Sequence, residues 1–473
     1  MADKISHFFG LGKLLPSAAG LLFAALPAMA FADTLNISGV LPAAADQPQI
    51  NAVLRSTASG PDLTTSGGYY TIQAFLDSGT SGILLANSTW TALGLGTSTV
   101  NGSSSLPVVF HDVAIGGTNP YYVSTPYYLA TAPYSINNDQ NLGGTPPPQN
   151  AFGNTIGPVQ LELSQSPNPL SFLTGPIDIM GAPVMQGNVT VMDIGPANNF
   201  ASTNPGETQT YIYSPNTPYN PSAMNTNPGI VPTQYHVQLS YASFAQFTST
   251  TPTGATGPTL ADNPFIGANP VAAFNGSPQA NSPPGVTIAY NGKSATGSFL
   301  FDTGAAASFI SQAMAAKLGI AYTAGTYDSN NPSLISTATG QPLANQFTIS
   351  VSGAGGALVT AAGFYLNSLS LQTKEGTTIS FNSAPVLVQD VTVTDPTTLK
   401  SLTLDGDLGM NFFEPSSTTD LSQVNASPFN WVTIDQPNGL LGLTLVPEPA
   451  SALLLIGLWP LLLRRRKFLK IAR

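Results

Sequence analysis

The sequence predicts an all-β protein with two related lobes, a cleft between them and a few short helices. Three observations predict this fold: short alternating runs of apolar and polar residues, scarce helical periodicity, and a segment of roughly 20 residues that occurs twice. Hydrophobic residues make up 42% of the 473 residues, which suits a globular chain. Charged residues make up only 8%, against about 25% in an average soluble domain.

The alternating runs are separated by tracts rich in Asn, Pro, Ser and Thr. They read YHVQLSYASF from Tyr235, GVTIAYNG from Gly285, FTISVSG from Phe347 and APVLVQDVTVT from Ala384. Alternation with a period of two predicts strands. Helical spacing is clearest in SQAMAAKLGI, residues 311–320.

The duplicated segment reads AFLDSGTSGILL in the first half and FLFDTGAAASFI in the second. A shift of 225 residues places Asp77 on Asp302, and the register continues without a gap to Leu95 and Ile320. Each copy sends one aspartate out of an apolar strand into a turn that contains glycine.

A second repeated element extends this similarity over both halves. Ile-Met-Gly ends at Gly181, and Asp-Leu-Gly ends at Gly409. We therefore predict an N-terminal lobe over 33–197, a linker over 198–232 and a C-terminal lobe over 233–446.

Composition excludes several classes of function. The chain has no cysteine, so disulfides, thiolate metal sites and thiol nucleophiles are excluded. Residues 33–446 carry 5 basic and 21 acidic residues, a net charge of −16, which excludes nucleic-acid binding. Only His111 and His236 lie outside the leader and no GxSxG occurs, so neither a metal site nor a Ser-His-Asp triad is expected.

The first 32 residues have the pattern of a secretory signal. Lys4 and Lys13 precede the apolar run AAGLLFAALPAMA, and Ala-Phe-Ala precedes Asp33. An amphipathic membrane anchor is the weaker alternative, because the apolar run has no polar face. We expect the mature chain to begin at Asp33.

The C-terminal tail, 447–473, combines a Pro-Glu-Pro motif, a short apolar run and an arginine cluster. The motif is Pro447, Glu448 and Pro449, and the cluster includes Arg464, Arg465 and Arg466. This order resembles the PEP-CTERM sorting signal of Gram-negative bacteria. The resemblance implies export across the inner membrane, cleavage by an exosortase-type enzyme, and a location in the periplasm, on the cell surface or in the extracellular matrix.

The apolar run of the tail is short. It spans 450–463, whereas a stable transmembrane helix needs about 20 residues. Transient insertion in the inner membrane is therefore expected, held by the arginines on the cytoplasmic side. A permanent tail anchor remains the alternative.

Both aspartate turns resemble those of the aspartic proteases, pepsin-like and retropepsin-like together. The resemblance implies a bilobal pepsin-like double-β fold in which Asp77 and Asp302 form one shared dyad. It also implies a hydrophobic strand ending in Gly181 or Gly409 behind each turn. Asp407 departs from the pattern, since an apolar residue usually stands there. The supporting turn residues are Ser78, Gly79, Thr80, Thr303, Gly304 and Ala305.

The chemistry of such a pair accounts for the residue types. Two carboxylates about 3 Å apart cannot both ionise, so they share one proton and act together as general base and general acid. No metal or cofactor is needed. The alternative is that Asp77 and Asp302 only cap their own turns.

A flap over the cleft is also implied by the resemblance. Tyr121 and Tyr122 lie 44 and 45 residues after Asp77, in the region where the family places a flap tyrosine. The alternative is that both rings pack within a sheet.

The sequence thus predicts a monomeric, exported aspartic endopeptidase that acts on polypeptides. A non-catalytic surface or biofilm-matrix binding protein on the same scaffold is the alternative. A glycosidase ranks third, because it would need two acids about 5–9.5 Å apart and not two matched turns. Since Thr80 has a hydroxyl and Ala305 has none, we expect a pH optimum nearer about 5–6 than 2–3.

Overall fold

Short strands make up most of the regular structure, and the predicted all-β fold is confirmed. A computed structural model describes residues 33–65, 68–100, 107–114, 117–135, 137, 145, 147, 152–153, 155–165, 177–198, 207–215, 233–243, 255–325, 327–328, 330, 332–352, 358–394, 400–418 and 422–446. The alternating runs from Tyr235, Gly285 and Phe347 form strands as predicted. The predicted helix forms over Gln312–Lys317, and the hydroxyl of Ser311 accepts a hydrogen bond at its N-terminus.

The strands of the N-terminal half are β1 Thr34–Ile37, β2 Ala43–Ala44, β3 Gln49–Arg55, β4 Thr64–Thr65, β5 Gly68–Tyr69, β6 Ile72–Leu76, β7 Ile83–Leu85, β8 Val109–Ala114, β9 Gly117–Val123, β10 Tyr127–Pro133, β11 Thr155–Val159, β12 Glu162–Ser164, β13 Asp178–Met180, β14 Val189–Asp193 and β15 Gln209–Tyr213. Those of the C-terminal half are β16 Tyr235–Ala242, β17 Asn263–Ile266, β18 Val286–Tyr290, β19 Lys293–Gly297, β20 Phe299–Phe301, β21 Phe309–Ile310, β22 Ile320–Tyr322, β23 Leu334–Ser336, β24 Phe347–Ser352, β25 Leu358–Gln372, β26 Thr378–Val388, β27 Thr392–Thr394, β28 Ser401–Thr403, β29 Gly406–Leu408, β30 Ser416–Ser417, β31 Val424–Asn425, β32 Phe429–Asp435 and β33 Leu440–Leu445. The helices are α1 Asn87–Ala92, α2 Ala182–Met185, α3 Pro270–Phe274 and α4 Gln312–Lys317, and the 3-10 turns are Pro196–Asn198, Met410–Phe412 and Gln436–Asn438.

Both halves use the same order of strand pairing. In the N-terminal half β3 pairs with β6 antiparallel, β6 with β13 parallel, β13 with β7 antiparallel and β7 with β12 parallel. The C-terminal half repeats this with β17, β20, β29, β21 and β26. The repeat seen in the sequence is therefore a repeat of topology, and it places the two aspartate turns at equivalent points.

A continuous sheet joins the halves at their base. β14 pairs with β32, β32 with β33, and β33 with β16, all antiparallel. The chain also crosses over at its start, because β1 pairs in parallel with β26 of the C-terminal half. The described residues from Thr34 onward accordingly form one compact unit.

The predicted linker, 198–232, contains one strand among its described residues. Gln209–Tyr213 forms β15, which pairs with β14 along its whole length. Its sequence, QTYIY, alternates polar with aromatic or β-branched residues, which suits an edge of the base sheet. The surrounding Asn- and Pro-rich residues hide this short pattern.

Phenylalanine rings fill the core of the C-terminal half. The rings of Phe381, Phe412, Phe413 and Phe429 are all buried, with centroids of neighbouring rings 4.8 to 6.4 Å apart. Burying each ring contributes about 1.5–3 kcal/mol. Phe412 and Phe413 follow shortly after β29, and Phe413 also meets Phe301 of β20 edge to face, with ring centroids 5.2 Å apart. The cluster therefore packs beside the strands that form the second aspartate turn.

The predicted signal segment, 1–32, and the predicted sorting tail, 447–473, lie outside the described residues. Within the described residues, none of the helices has the length and apolar character needed to span a bilayer.

Candidate active site

The two aspartates begin equivalent turns at the ends of β6 and β20. The N–H of Asp77 donates to the carbonyl of Met180 at 3.0 Å, and the N–H of Asp302 donates to that of Leu408 at 3.1 Å. Each aspartate is therefore fixed by the strand that runs parallel to its own, β13 or β29.

Each carboxyl group rests on the glycine of the opposite turn. A Cβ atom added to Gly79 would lie 2.5 Å from Asp302 Oδ2, and one added to Gly304 would lie 2.7 Å from Asp77 Oδ1. No side chain fits in either place. The two carboxyls lie within hydrogen-bonding reach of each other.

The middle residues of the turns exchange hydrogen bonds across the interface. The N–H of Ser78 donates to Thr303 Oγ1 at 2.9 Å, and the N–H of Thr303 donates to Ser78 Oγ at 3.0 Å. The two hydroxyls then donate to carbonyls of the opposite lobe, Ser78 to Phe301 and Thr303 to Leu76, each at 2.6 Å. Both side chains are fully buried, so this network holds the two turns in one orientation.

A second pair of contacts crosses the interface through carboxamides. The Gln47 amide donates to the carbonyl of Gly304, and the Asn263 amide donates to the carbonyl of Ser78 at 2.9 Å. Asn263 also accepts a 2.6 Å hydrogen bond from the hydroxyl of Ser81. Gln47 lies just before β3 and Asn263 begins the equivalent strand β17, so each lobe also contacts the turn of the other.

Asp77 accepts more hydrogen bonds within its own turn than Asp302 does. Its Oδ1 accepts from the N–H groups of Gly79 and Thr80, and its Oδ2 accepts from the Thr80 hydroxyl at 2.7 Å. Asp302 Oδ1 accepts from the N–H of Gly304 at 2.8 Å. Donors favour the ionised form of a carboxyl, so Asp77 is the better site for the negative charge.

Glycines allow the strands behind the turns to approach closely. A Cβ on Gly409 would lie 2.7 Å from the carbonyl oxygens of Ala305 and Ala307, and one on Gly181 would overlap the carbonyl of Gly82. The backbone that follows each glycine then donates to its turn, Ala182 to Thr80 and Met410 to Ala305, at 2.8 Å in both cases.

A third carboxyl group lies beside the pair. Asp407 is 2% exposed and occupies the place on β29 that Ile179 occupies on β13. Its side chain lies within hydrogen-bonding reach of Asp302. Asp407, which replaces the usual apolar residue, thus adds a third buried carboxyl beside Asp77 and Asp302.

Burial and mutual repulsion both raise carboxyl pKa values in this cluster. Burial raises the pKa of Asp302 well above its ordinary value, and the neighbouring charges of Asp77 and Asp407 raise it further. Burial likewise raises the pKa of Asp407 to about 8. Asp302 and Asp407 therefore keep their protons at mildly acidic pH.

The predicted flap residues lie on the second strand of a hairpin, β8 with β9. Tyr121 is 3% exposed and packs in an apolar cluster with Ile179. Tyr122 meets Trp90 edge to face, with ring centroids 6.5 Å apart. Both rings therefore contact their own lobe, which is the sheet-packing alternative, and the flap role stays a prediction.

Metal-binding side chains do not cluster in the part of the chain that the structure describes, where no group of three or more could hold an ion. His236 pairs with Glu375 through Nδ1 at 2.6 Å near the surface. The side chain of His111 lies outside the described residues.

Three residues at this site were not predicted to act there: Gln47, Asn263 and Asp407. The sequence signal for Asp407 was its replacement of an apolar residue before Leu408-Gly409. Gln47 and Asn263 carried no signal of their own. Only the pairing of β3 with β6 and of β17 with β20 shows that they stand at equivalent positions.

Residues 286–341 match the family described as aspartyl protease, and this segment contains Asp302 and its turn. No curated protein matches the chain. Among solved structures, the aspartic proteinase from Irpex lacteus is similar with 12% identity and a TM-score of 0.35, covering 86% of this chain and 97% of its own. Basic 7S globulin from soybean is similar with 10% identity and a TM-score of 0.36, covering 84% of this chain and 95% of its own.

Proposed function

We propose that this protein is an exported aspartic endopeptidase that hydrolyses peptide bonds through Asp77, Asp302 and one water molecule. The observation that carries the proposal is the meeting of two carboxyls on equivalent turns, each resting on the glycine of the other. A scaffold that only binds a partner has no chemical need for that arrangement.

The unequal surroundings of the two carboxyls suggest their roles. Asp77, with its three donors, acts as the ionised general base and takes a proton from the water as oxygen attacks the carbonyl carbon. Asp302 keeps its proton, because burial raises its pKa, and gives it to the carbonyl oxygen. The tetrahedral diol then collapses: the C–N bond breaks, Asp77 protonates the leaving nitrogen, and a diol hydroxyl returns a proton to Asp302.

A peptide library tests this proposal on the full-length protein at mildly acidic pH. We expect cleavage that pepstatin inhibits, and a loss of about a thousandfold or more in Asp77→Asn and in Asp302→Asn. Circular dichroism should show that both variants fold, and Asp328→Asn, at an exposed aspartate, serves as control. Full activity in either aspartate variant contradicts the proposal. An inert, folded wild-type protein would favour the surface-binding alternative.

A further inference from the structure

Asp407 is placed so that its carboxyl reaches Asp302 from the strand behind it. It stands opposite Leu300 in the parallel pairing of β29 with β20, and opposite Phe309 in the antiparallel pairing with β21. It is 2% exposed. Within the described residues its Oδ1 atom has no hydrogen-bond partner, and its side chain forms a hydrogen bond with Asp302.

The contacts of Asp302 determine how many protons the three carboxyls must hold. Asp302 touches two carboxyls, Asp77 and Asp407. A contact between carboxyls is attractive only when a proton lies between them, because two carboxylates repel. Asp302 holds at most one proton, and the hydrogen bond to Asp77 uses it. The contact with Asp407 therefore needs a second proton, and Asp407 itself must hold that proton.

The surroundings of Asp407 favour its protonated form. Burial raises its pKa to about 8. The hydrogen bond with Asp302 lowers the pKa, because an Asp302 hydroxyl can donate to an ionised Asp407, but burial outweighs this effect and the charge of Asp77 raises the pKa further. Those two aspartates are the titratable groups that act on Asp407 from the turns after β20 and β6. Across β21 it faces Phe309, which carries no charge.

We propose that Asp407 is a positioning residue that stays protonated during turnover and donates a hydrogen bond to Asp302, the donation that Ala305 cannot make. Thr80 makes the corresponding donation to Asp77 in the first turn, at 2.7 Å. The inference rests on the proposed peptidase activity. When Asp302 passes its proton to the substrate carbonyl, the Asp407 hydroxyl stabilises the carboxylate left behind.

Two substitutions distinguish a protonated Asp407, which donates a hydrogen bond, from an ionised Asp407. Asp407→Asn keeps a neutral N–H donor, and Asp407→Leu removes the donor. We expect the alkaline limb of the kcat profile to keep its position in Asp407→Asn. In Asp407→Leu, we expect kcat to fall about tenfold and the limb to move up by about one pH unit. If Asp407 were an anion, Asp407→Asn would move the limb to lower pH, and that result would overturn the inference.

A rescue experiment excludes a merely structural role. Adding Ala305→Thr to Asp407→Leu supplies a hydroxyl at the position equivalent to Thr80, so kcat and the limb should return most of the way. No rescue would count against the inference. Asp178→Asn is the matched control, because Asp178 is 4% exposed on β13 but bonds to Ala86 and Thr89 in its own lobe. It should leave the alkaline limb in place.

Infrared titration gives a readout that does not need activity. The wild-type protein should show a protonated-carboxyl band that disappears near the Asp407 pKa of about 8. Asp407→Asn should lack this band, and Asp178→Asn should keep it. A wild-type protein with the band but without peptidase activity would refute the proposed function and leave the proton assignment intact. A wild-type protein without the band would refute the assignment.

Discussion

Asp302 accepts fewer hydrogen bonds within its own turn than Asp77 does, and this difference adds to burial in keeping the proton on Asp302. Three donors of the first turn reach Asp77, whereas the N–H of Gly304 is the turn donor to Asp302. The sequence predicts this asymmetry through Thr80 and Ala305. The structure adds burial and Asp407, of which burial has the larger effect on the Asp302 pKa.

The substitution Ala305→Thr in the otherwise native protein tests this asymmetry. A new hydroxyl donor to Asp302 stabilises its ionised form, so the peak of the pH profile, expected near about pH 5–6, should move down by about half a unit to one unit. The shift should be smaller than in the Asp407→Leu background, because Asp407 already donates. Peptide-cleavage rates across pH measure both shifts. An unchanged peak in both backgrounds would mean that a hydroxyl here does not tune Asp302.

The position of Asp407 marks the limit of prediction from residues alone. The repeat aligned Asp407 with Ile179 and showed an unusual residue. Asp407 lies close to Asp302 because β29 pairs in parallel with β20. Strand pairing of this kind cannot be derived from a single sequence. The two aspartate turns were predictable because Asp77 and Gly79 recur as Asp302 and Gly304 at a fixed shift of 225 residues within matching apolar surroundings.

The strands behind the two aspartate turns, β13 and β29, position the site. Each is followed by a glycine whose next residue donates to the turn, and the last residue of each, Met180 or Leu408, accepts the N–H of the aspartate. The sequence predicted the first strand from Ile179 and Met180 before Gly181, whereas Asp407 before Leu408 and Gly409 made the second strand a departure from the pattern. It missed β15, because five residues of alternating pattern inside an Asn- and Pro-rich tract resemble a linker.

The substitution Gly409→Ala tests the close approach behind the second turn. The added Cβ would meet two backbone carbonyl oxygens at 2.7 Å, and backbone cannot move aside cheaply. We expect a cost of about 2–3 kcal/mol, which lowers the melting temperature of a chain of this size by about 2–4 °C, with loss of peptide cleavage. Gly153→Ala is the control, since its nearest contact would be an ordinary 3.8 Å. A melting temperature equal to that of the control would refute the packing argument.

At the scale of the whole molecule, buried carboxyls make stability depend on pH. The groups whose pKa is raised chiefly by burial are Asp46, Asp178, Asp193, Asp302, Asp407 and Glu414. The folded protein thus binds protons more tightly than the unfolded chain does. The free energy of unfolding must then fall as pH rises above the ordinary carboxyl pKa of about 4.

Melting curves measure this dependence. The free energy of unfolding should keep falling through the Asp178 pKa of about 7 and the Asp407 pKa of about 8. The melting temperature should therefore drop by on the order of 10 °C between about pH 5 and 9. Asp178→Asn should flatten part of the curve. A melting temperature that is constant or rises over this interval would contradict the burial argument.

Export is a proposal about the two ends of the chain. If the tail is sorted as its resemblance to PEP-CTERM signals implies, protein purified from the native host should lack Arg464, Arg465 and Arg466. Mass spectrometry of the intact mature protein measures this, and the same spectrum reports whether the chain begins at Asp33. An intact C-terminus on most molecules would favour the permanent tail anchor.

The difference between Asp407 and Ile179 also bears on the history of the chain. Two copies of the N-terminal half would bring together two carboxyls. Two copies of the C-terminal half would bring together four carboxyls that repel one another. Only a mixed pair yields three carboxyls that share two protons. The two halves are therefore no longer interchangeable at this position, because the third carboxyl and the second proton that we propose for it belong to the second half alone.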